Sequence, residues 1–216
     1  MTTRLLIDND IVIKLACMDV YVEGLNAIGY APVSVGSLTV MLRFMGLFEE
    51  ARRRRVTHSQ AEADRLLVAL QSITQIEPTE EEAKVIASVS KIALMNDLDL
   101  QEGELMLLVI AVSRGNLRIA TGDKRALRSL RAMEDRWADI SQLRGQFYCL
   151  ELIFSRLCST LGFARVRQAV TTSPRADETI AYVYDQTQTA AQNGFIAGLG
   201  MVIREHIEHP APGWLV

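Results

Sequence analysis

The sequence predicts an α/β fold, a parallel sheet flanked by helices, with a helical C-terminal extension. Three stretches carry this reading. Acids at Asp99, Glu102 and Glu104 lead into an unbroken apolar run, Leu105 to Val112, which suits a helix buried nearly all round. The turn Ser113-Arg-Gly-Asn116 then feeds Leu117-Arg-Ile-Ala-Thr-Gly-Asp123, a short apolar run that suits a buried parallel strand. Arg4-Leu-Leu-Ile-Asp8 has the same form at the start of the chain: a strand that stops on an acid and turns into a helix beginning near Ile11.

With 216 residues, 49% of them hydrophobic, the chain has enough apolar material for a full core. It reads as a domain over residues 1–140 and a mainly helical extension over 141–216. A net charge of -3 gives no global basic field, so a phosphate-rich partner has to be held by a local patch. Cys17, Cys149 and Cys158 have no metal-ligand spacing, and an odd count suits reduced thiols. The apolar part of the N-terminus is too short for a signal peptide, and no stretch reads as a membrane span. A cytoplasmic protein without membrane contact is expected.

The remaining elements follow in order. Tyr30 to Met45 fits strand then helix. Glu49 to His58 contains Arg52-Arg-Arg-Arg55, which reads as a solvated helix face or, alternatively, as a phosphate-contacting patch. Ser59 to Gln71 has helical periodicity. Thr79 and Glu82 have capping-box spacing ahead of a helix over 80–95, and Asp99 and Glu102 have the same spacing ahead of the buried helix. Lys124 to Arg136 reads as a helix, Gly145 to Leu150 as a last strand, and Leu152 to Leu161 as a helix. Ser173-Pro174 is a helix-start signal for a helix reaching about Arg204, with the Gly194–Gly200 face packed against protein. His206 and His209 fall in what reads as a loose tail.

Candidate site residues come from the strand ends. In an open parallel sheet the ligand site lies beyond the carboxyl ends of the strands, so Asp8 and Asp123 are delivered to one edge. Glu104 is the third candidate, because Asp99 and Glu102 have a capping explanation. A plain dipole preference at the helix start is the alternative for Glu104. Converging carboxylates repel, and a divalent cation relieves them; hard oxygen ligands suit Mg²⁺ or Mn²⁺. Lys124, Arg125 and Arg128 lie just beyond Asp123 as a patch able to contact nucleic-acid phosphates, or as a solvated face balancing Glu134 and Asp135.

Together, Leu5-Leu-Ile-Asp8-Asn-Asp10, Glu102-Gly-Glu104-Leu-Met-Leu-Leu and Thr121-Gly-Asp123 resemble, in order and spacing, the motifs of PIN domains. The resemblance covers about residues 1–140. It implies a metal-dependent ribonuclease, with Asp8, Glu104 and Asp123 as metal-binding catalytic carboxylates. It also implies RNA as substrate, an antitoxin-like protein partner and a homodimer. One departure stands out. The family usually carries another acid in the helix after the second strand, yet residues 24–48 contain no Asp or Glu. Either Asp10 substitutes or the set is incomplete, which makes a non-catalytic RNA- or protein-binding module the second reading. The Asp8-x-Asp10 pattern also opens haloacid-dehalogenase-like phosphatases, but that reading leaves Glu104 without a role.

Overall fold

The structure, a computed structural model, describes residues 3–187 and 191–216. The first strand, β1 (Leu5–Ile7), is wholly buried and hands over at Asp8 to α1 (Asn9–Cys17) and α2 (Tyr21–Ala27). A 3-10 turn at Pro32–Ser34 leads into β2 (Val35–Leu38), then α3 (Thr39–Phe44), α4 (Glu50–Val56), α5 (Gln60–Ser72) and β3 (Thr74–Ile76). Next come α6 (Glu80–Met95), α7 (Glu102–Arg114), β4 (Arg118–Ala120) and α8 (Lys124–Glu134). After a 3-10 turn at Ala138–Leu143, β5 (Phe147–Tyr148) precedes α9 (Leu150–Leu161), α10 (Phe163–Thr172), α11 (Glu178–Thr187) and α12 (Ala191–Ile203).

The strands form one sheet in the order β3-β2-β1-β4-β5, every pairing parallel. Alternation within β1 divides the core. Leu5 and Ile7 point to the side packed by α1, α2, α5 and α9 to α12, whereas Leu6 points to the side packed by α6, α7 and α8. The chain runs from β1 outward to β2 and β3, then returns to the other flank of β1 for β4. The switch point therefore lies between β1 and β4, and the crevice beyond their carboxyl ends is where an open sheet of this kind takes a ligand.

The C-terminal segment packs on both sides of the sheet. α12 lies on α9 and α11, with Phe195, Gly198 and Leu199 buried, and a Cβ on Gly198 would stand 2.7 Å from Val183 Cγ1. This buried face is packed against the chain's own core. Beyond α12, a π-helical turn at Arg204–Glu208 brings Ile207 and Trp214 to 0% exposure. The Trp214 ring meets Phe147 edge-on at 6.1 Å, and its carbonyl accepts from the Phe147 amide at 3.1 Å. The end of the chain is thus anchored along β5. It is not the loose tail that its histidines and prolines suggest.

Two other expectations need correction. The α7 cap is Gln101 with Glu104 at N3, not Asp99 with Glu102: the Gln101 amide donates to Glu104 Oε2 at 2.8 Å. The register follows the face that must be buried, since Leu105 and Leu108 have to meet the core and this fixes where the first turn begins. The helix expected to open at Ser173 opens instead at Glu178. The Ser173 hydroxyl is taken by Glu62, 111 positions earlier, at 2.7 Å, and Asp177 Oδ1 accepts the Ile180 amide at 2.7 Å. Continuity to Arg204 is interrupted, because Ala191 has φ 53; residues 188–190, which that expectation crossed, lie outside the described residues. Among the described residues no helix is long and apolar enough to cross a membrane.

Candidate carboxylate site

Asp8 ends β1 and caps α1, with its Oδ1 accepting the Asn9 amide at 2.7 Å. Its own amide donates to the Ala120 carbonyl at 2.9 Å, which fixes it against the end of β4. Asp123 caps α8, its Oδ1 accepting the amides of Arg125 at 2.7 Å and Ala126 at 3.3 Å. Thr121 joins the two acids. Its hydroxyl donates to Asp8 Oδ2 at 3.3 Å and accepts the Asp123 amide at 3.2 Å. The α7 N-terminus brings Glu104 from the other side of the crevice. Asp8, Asp10, Glu104 and Asp123 then line one cavity of about 740 Å³, together with Lys14, Arg125 and the α3 residues Val40, Met41 and Phe44.

Gly122 is what admits Asp10. A Cβ at Gly122 would stand 2.0 Å from Asp10 Oδ2, so any side chain there would displace the carboxylate. Asp10 is also held by Lys14, whose Nζ lies 2.7 Å from Asp10 Oδ2 and 2.8 Å from Asp177 Oδ2. Through Asp177 the extension reaches the rim of the cavity. Nothing local in the sequence signals this contact, because its partners are more than 160 positions apart.

The electrostatics separate the acids. Burial, with the Asp10 charge beside it, pushes the Asp8 carboxyl up to about 6, against the Asn9 amide and the Thr121 hydroxyl. Glu104 rises to about 7, chiefly by burial, with the charges of Asp123 and Asp8 adding to it and the Gln101 amide and Arg125 opposing. Asp123 goes the other way. Burial works against its charge, but the Arg125 guanidinium and the helix amides hold its carboxyl below the usual range. Arg125 Nη2 lies 2.7 Å from Asp123 Oδ2.

All four carboxylates expected at the site face this cavity. The three basic residues divide. Arg125 lines the cavity, but Lys124 turns to Glu151, with Nζ 2.6 Å from Oε1, and neither Lys124 nor Arg128 is part of the cavity wall. The pull on Lys124 is the Glu151 carboxylate, only 1% exposed, which requires a counter-charge. Arg52 and Arg54 pair with Glu49 and Glu50 on a solvated helix face. Thr121, Lys14 and Gln101 are the site residues that residue-type reasoning passes over.

The donor set, all carboxylate oxygens, has the chemistry for a hard divalent cation. Its atoms are not gathered into a ready cage, however. Among the described residues no group of three or more acidic, histidine or thiol side chains is close enough to hold a metal as it stands. Lys14 occupies Asp10, Arg125 occupies Asp123, and the Gln101 amide occupies one oxygen of Glu104. A cation would have to take the place of these partners. No family model, no curated protein and no solved structure matches this chain.

Proposed function

We propose that this chain is a metal-dependent ribonuclease of the PIN type, hydrolysing RNA phosphodiester bonds with Mg²⁺ or Mn²⁺. The observation that carries the proposal is the meeting of Asp8, Asp10, Glu104 and Asp123 in one cavity at the sheet's switch point, with Asp8 and Glu104 both pushed toward neutrality. Acids held in this way gain from a divalent cation more than solvated acids would. Asp8, Glu104 and Asp123 would hold it, with Asp10 at the rim. When bound, such a cation lowers the pKa of water and offsets charge on the phosphate.

The chain's own groups have defined roles in this scheme. Thr121 orients Asp8. Gln101 fixes the rotamer of Glu104. Arg125, which lines the cavity beside Asp123, would face the scissile phosphate, and Lys14 holds Asp10. The α3 wall, Val40, Met41 and Phe44, supplies an apolar surface suited to an unstacked base. That wall also favours a second reading. With no acid on α3, the cavity serves to bind RNA without cutting it.

One experiment separates the readings. Single-stranded RNA and a phosphomonoester are each incubated with the protein and Mg²⁺ or Mn²⁺, alongside Asp8→Asn and Asp123→Asn. Metal-dependent RNA cleavage lost in both variants supports the nuclease. RNA binding without cleavage supports the second reading, and phosphomonoester turnover alone would replace both with a phosphatase.

A further inference from the structure

A second large cavity, of about 900 Å³, opens at the opposite edge of the sheet, where the strands begin. Arg4 precedes β1 and Arg118 starts β4, so the two strands that carry Asp8 and Asp123 at one end carry arginines at the other. Arg114, at the end of α7, is the third cation on this wall, and among the described residues no Asp or Glu lines it.

The three arginines are satisfied to different degrees. Arg114 is neutralised by Glu82, with Nε 2.8 Å from Oε1 and Nη2 2.8 Å from Oε2. Arg118 is half-buried and has neutral partners only: Nε–H donates to Gln146 Oε1 at 3.2 Å and Nη1–H to the Tyr148 hydroxyl at 2.8 Å. Its guanidinium carbon stands 5.9 Å from the Tyr148 ring centre. Arg4 makes no side-chain hydrogen bond or ion pair among the described residues. A partly desolvated guanidinium with no counter-charge carries an energetic cost, and an anion relieves it. Guanidinium forks match phosphate oxygens in pairs, which a carboxylate-free wall leaves unopposed.

We propose that this cavity binds the phosphate end of a small ligand, a phosphomonoester or diphosphate of up to nucleotide size. Arg118, held in place by Tyr148 and Gln146, grips the phosphate; Arg4 closes over it from solvent. The volume falls within the range of small-molecule sites. The site shares no lining residue with the carboxylate cavity, so it stands or falls independently of the nuclease reading.

The test is calorimetric titration of the full chain with pyrophosphate and with inorganic phosphate at low ionic strength. Wild type, Arg118→Gln, Arg118→Lys, Arg4→Gln and Asp8→Asn are compared. Pyrophosphate is expected to bind more tightly than phosphate. Arg118→Gln should weaken it by about tenfold and Arg118→Lys should restore only part, because a lysine keeps charge but loses the fork. Arg4→Gln, an exposed change that leaves folding alone, should weaken it severalfold and decides the matter if Arg118→Gln fails to fold. Asp8→Asn should bind as wild type does. The proposal is overturned if pyrophosphate does not bind with a Kd of about 1 mM or tighter. It is equally overturned if Arg118→Gln and Arg4→Gln both bind unchanged, or if an RNA oligonucleotide without terminal phosphates displaces pyrophosphate and so takes the site for a polynucleotide.

Discussion

Without metal, the Asp8 carboxyl is expected to take stability from the fold as pH rises from about 4 to about 7. In the folded chain this carboxyl is pushed from 3.8 up to about 6, so the fold favours the protonated form. In the unfolded chain it titrates at its ordinary value. Below that value the group is protonated in both states and its stabilising share is fully present. As pH climbs through about 6 that share is lost, because charging the buried carboxyl costs more than charging a solvated one. At ~1.4 kcal/mol per pH unit, the rise from 3.8 to about 6 corresponds to ~3 kcal/mol for Asp8. Glu104 acts in the same direction, through about 7. The two share part of their repulsion, so their effects do not simply add. Asp8→Asn isolates the first: it removes the charge, and its oxygen can keep the bond from the Asn9 amide. The assay is urea denaturation in a chelator at several pH values from 4.5 to 7.5. The variant should gain on wild type by about 2–3 kcal/mol across that range. Saturating Mn²⁺ should cancel most of the gain by stabilising wild type alone. Parallel pH profiles for the two proteins would refute the argument and leave Asp8 as a helix cap with an ordinary carboxyl.

Three further outcomes are expected. Gly122→Ala drives a Cβ into Asp10, so it should break the Asp10–Lys14 pair and weaken Mn²⁺ binding about tenfold while costing no more than ~1–3 kcal/mol of stability; calorimetry and denaturation read both, and unchanged metal affinity would remove Asp10 from the site. Val40→Glu, on the exposed cavity-facing side of α3, should strengthen Mn²⁺ binding by supplying an acid where that wall has none, and an affinity equal to or below wild type would show that the wall does not face the cation. Lys124→Met strands the Glu151 carboxylate in the core and should cost ~3–5 kcal/mol, whereas adding Glu151→Leu should recover most of it; additive losses in a denaturation cycle would count against the pair.

Residue order shows which parts of this architecture are local and which are not. The strand-to-acid transitions at Asp8 and Asp123 are visible because an apolar run that stops on a capping acid needs no distant information. The same holds for α6, whose Thr79–Glu82 box and bounds at Glu80 and Met95 stand as spacing predicts. The α7 cap departs from spacing because Asp99 is the better cap by residue type, and only the burial of Leu105 and Leu108 moves the start to Gln101. Ser173 looks like a helix cap until Glu62 arrives from the other end of the chain to take its hydroxyl. Lys124 belongs to a basic cluster by spacing, yet the acid that captures it, Glu151, lies beyond β5 in α9. At the site, acid identity was legible. The bridging hydroxyl of Thr121 and the hold of Lys14 on Asp177 were not, since each depends on elements distant in sequence meeting in the fold.

The central position of β1 has a consequence for biosynthesis. Its neighbour on one flank, β2, follows within some thirty residues, but its other neighbour, β4, is made only after the five helices α3 to α7 and β3. At ~5–20 residues per second, the ribosome needs roughly 5–15 seconds to extend the chain from β2 to β4. Throughout that interval the open edge of Leu5–Ile7 carries unpaired backbone groups beside an apolar surface, the condition under which nascent chains associate with one another or recruit a chaperone. Slowing translation between residues 38 and 120 would lengthen this exposure, and speeding it would shorten it. Codon choice in that interval is therefore a direct handle on the yield of folded protein, with no change to any amino acid.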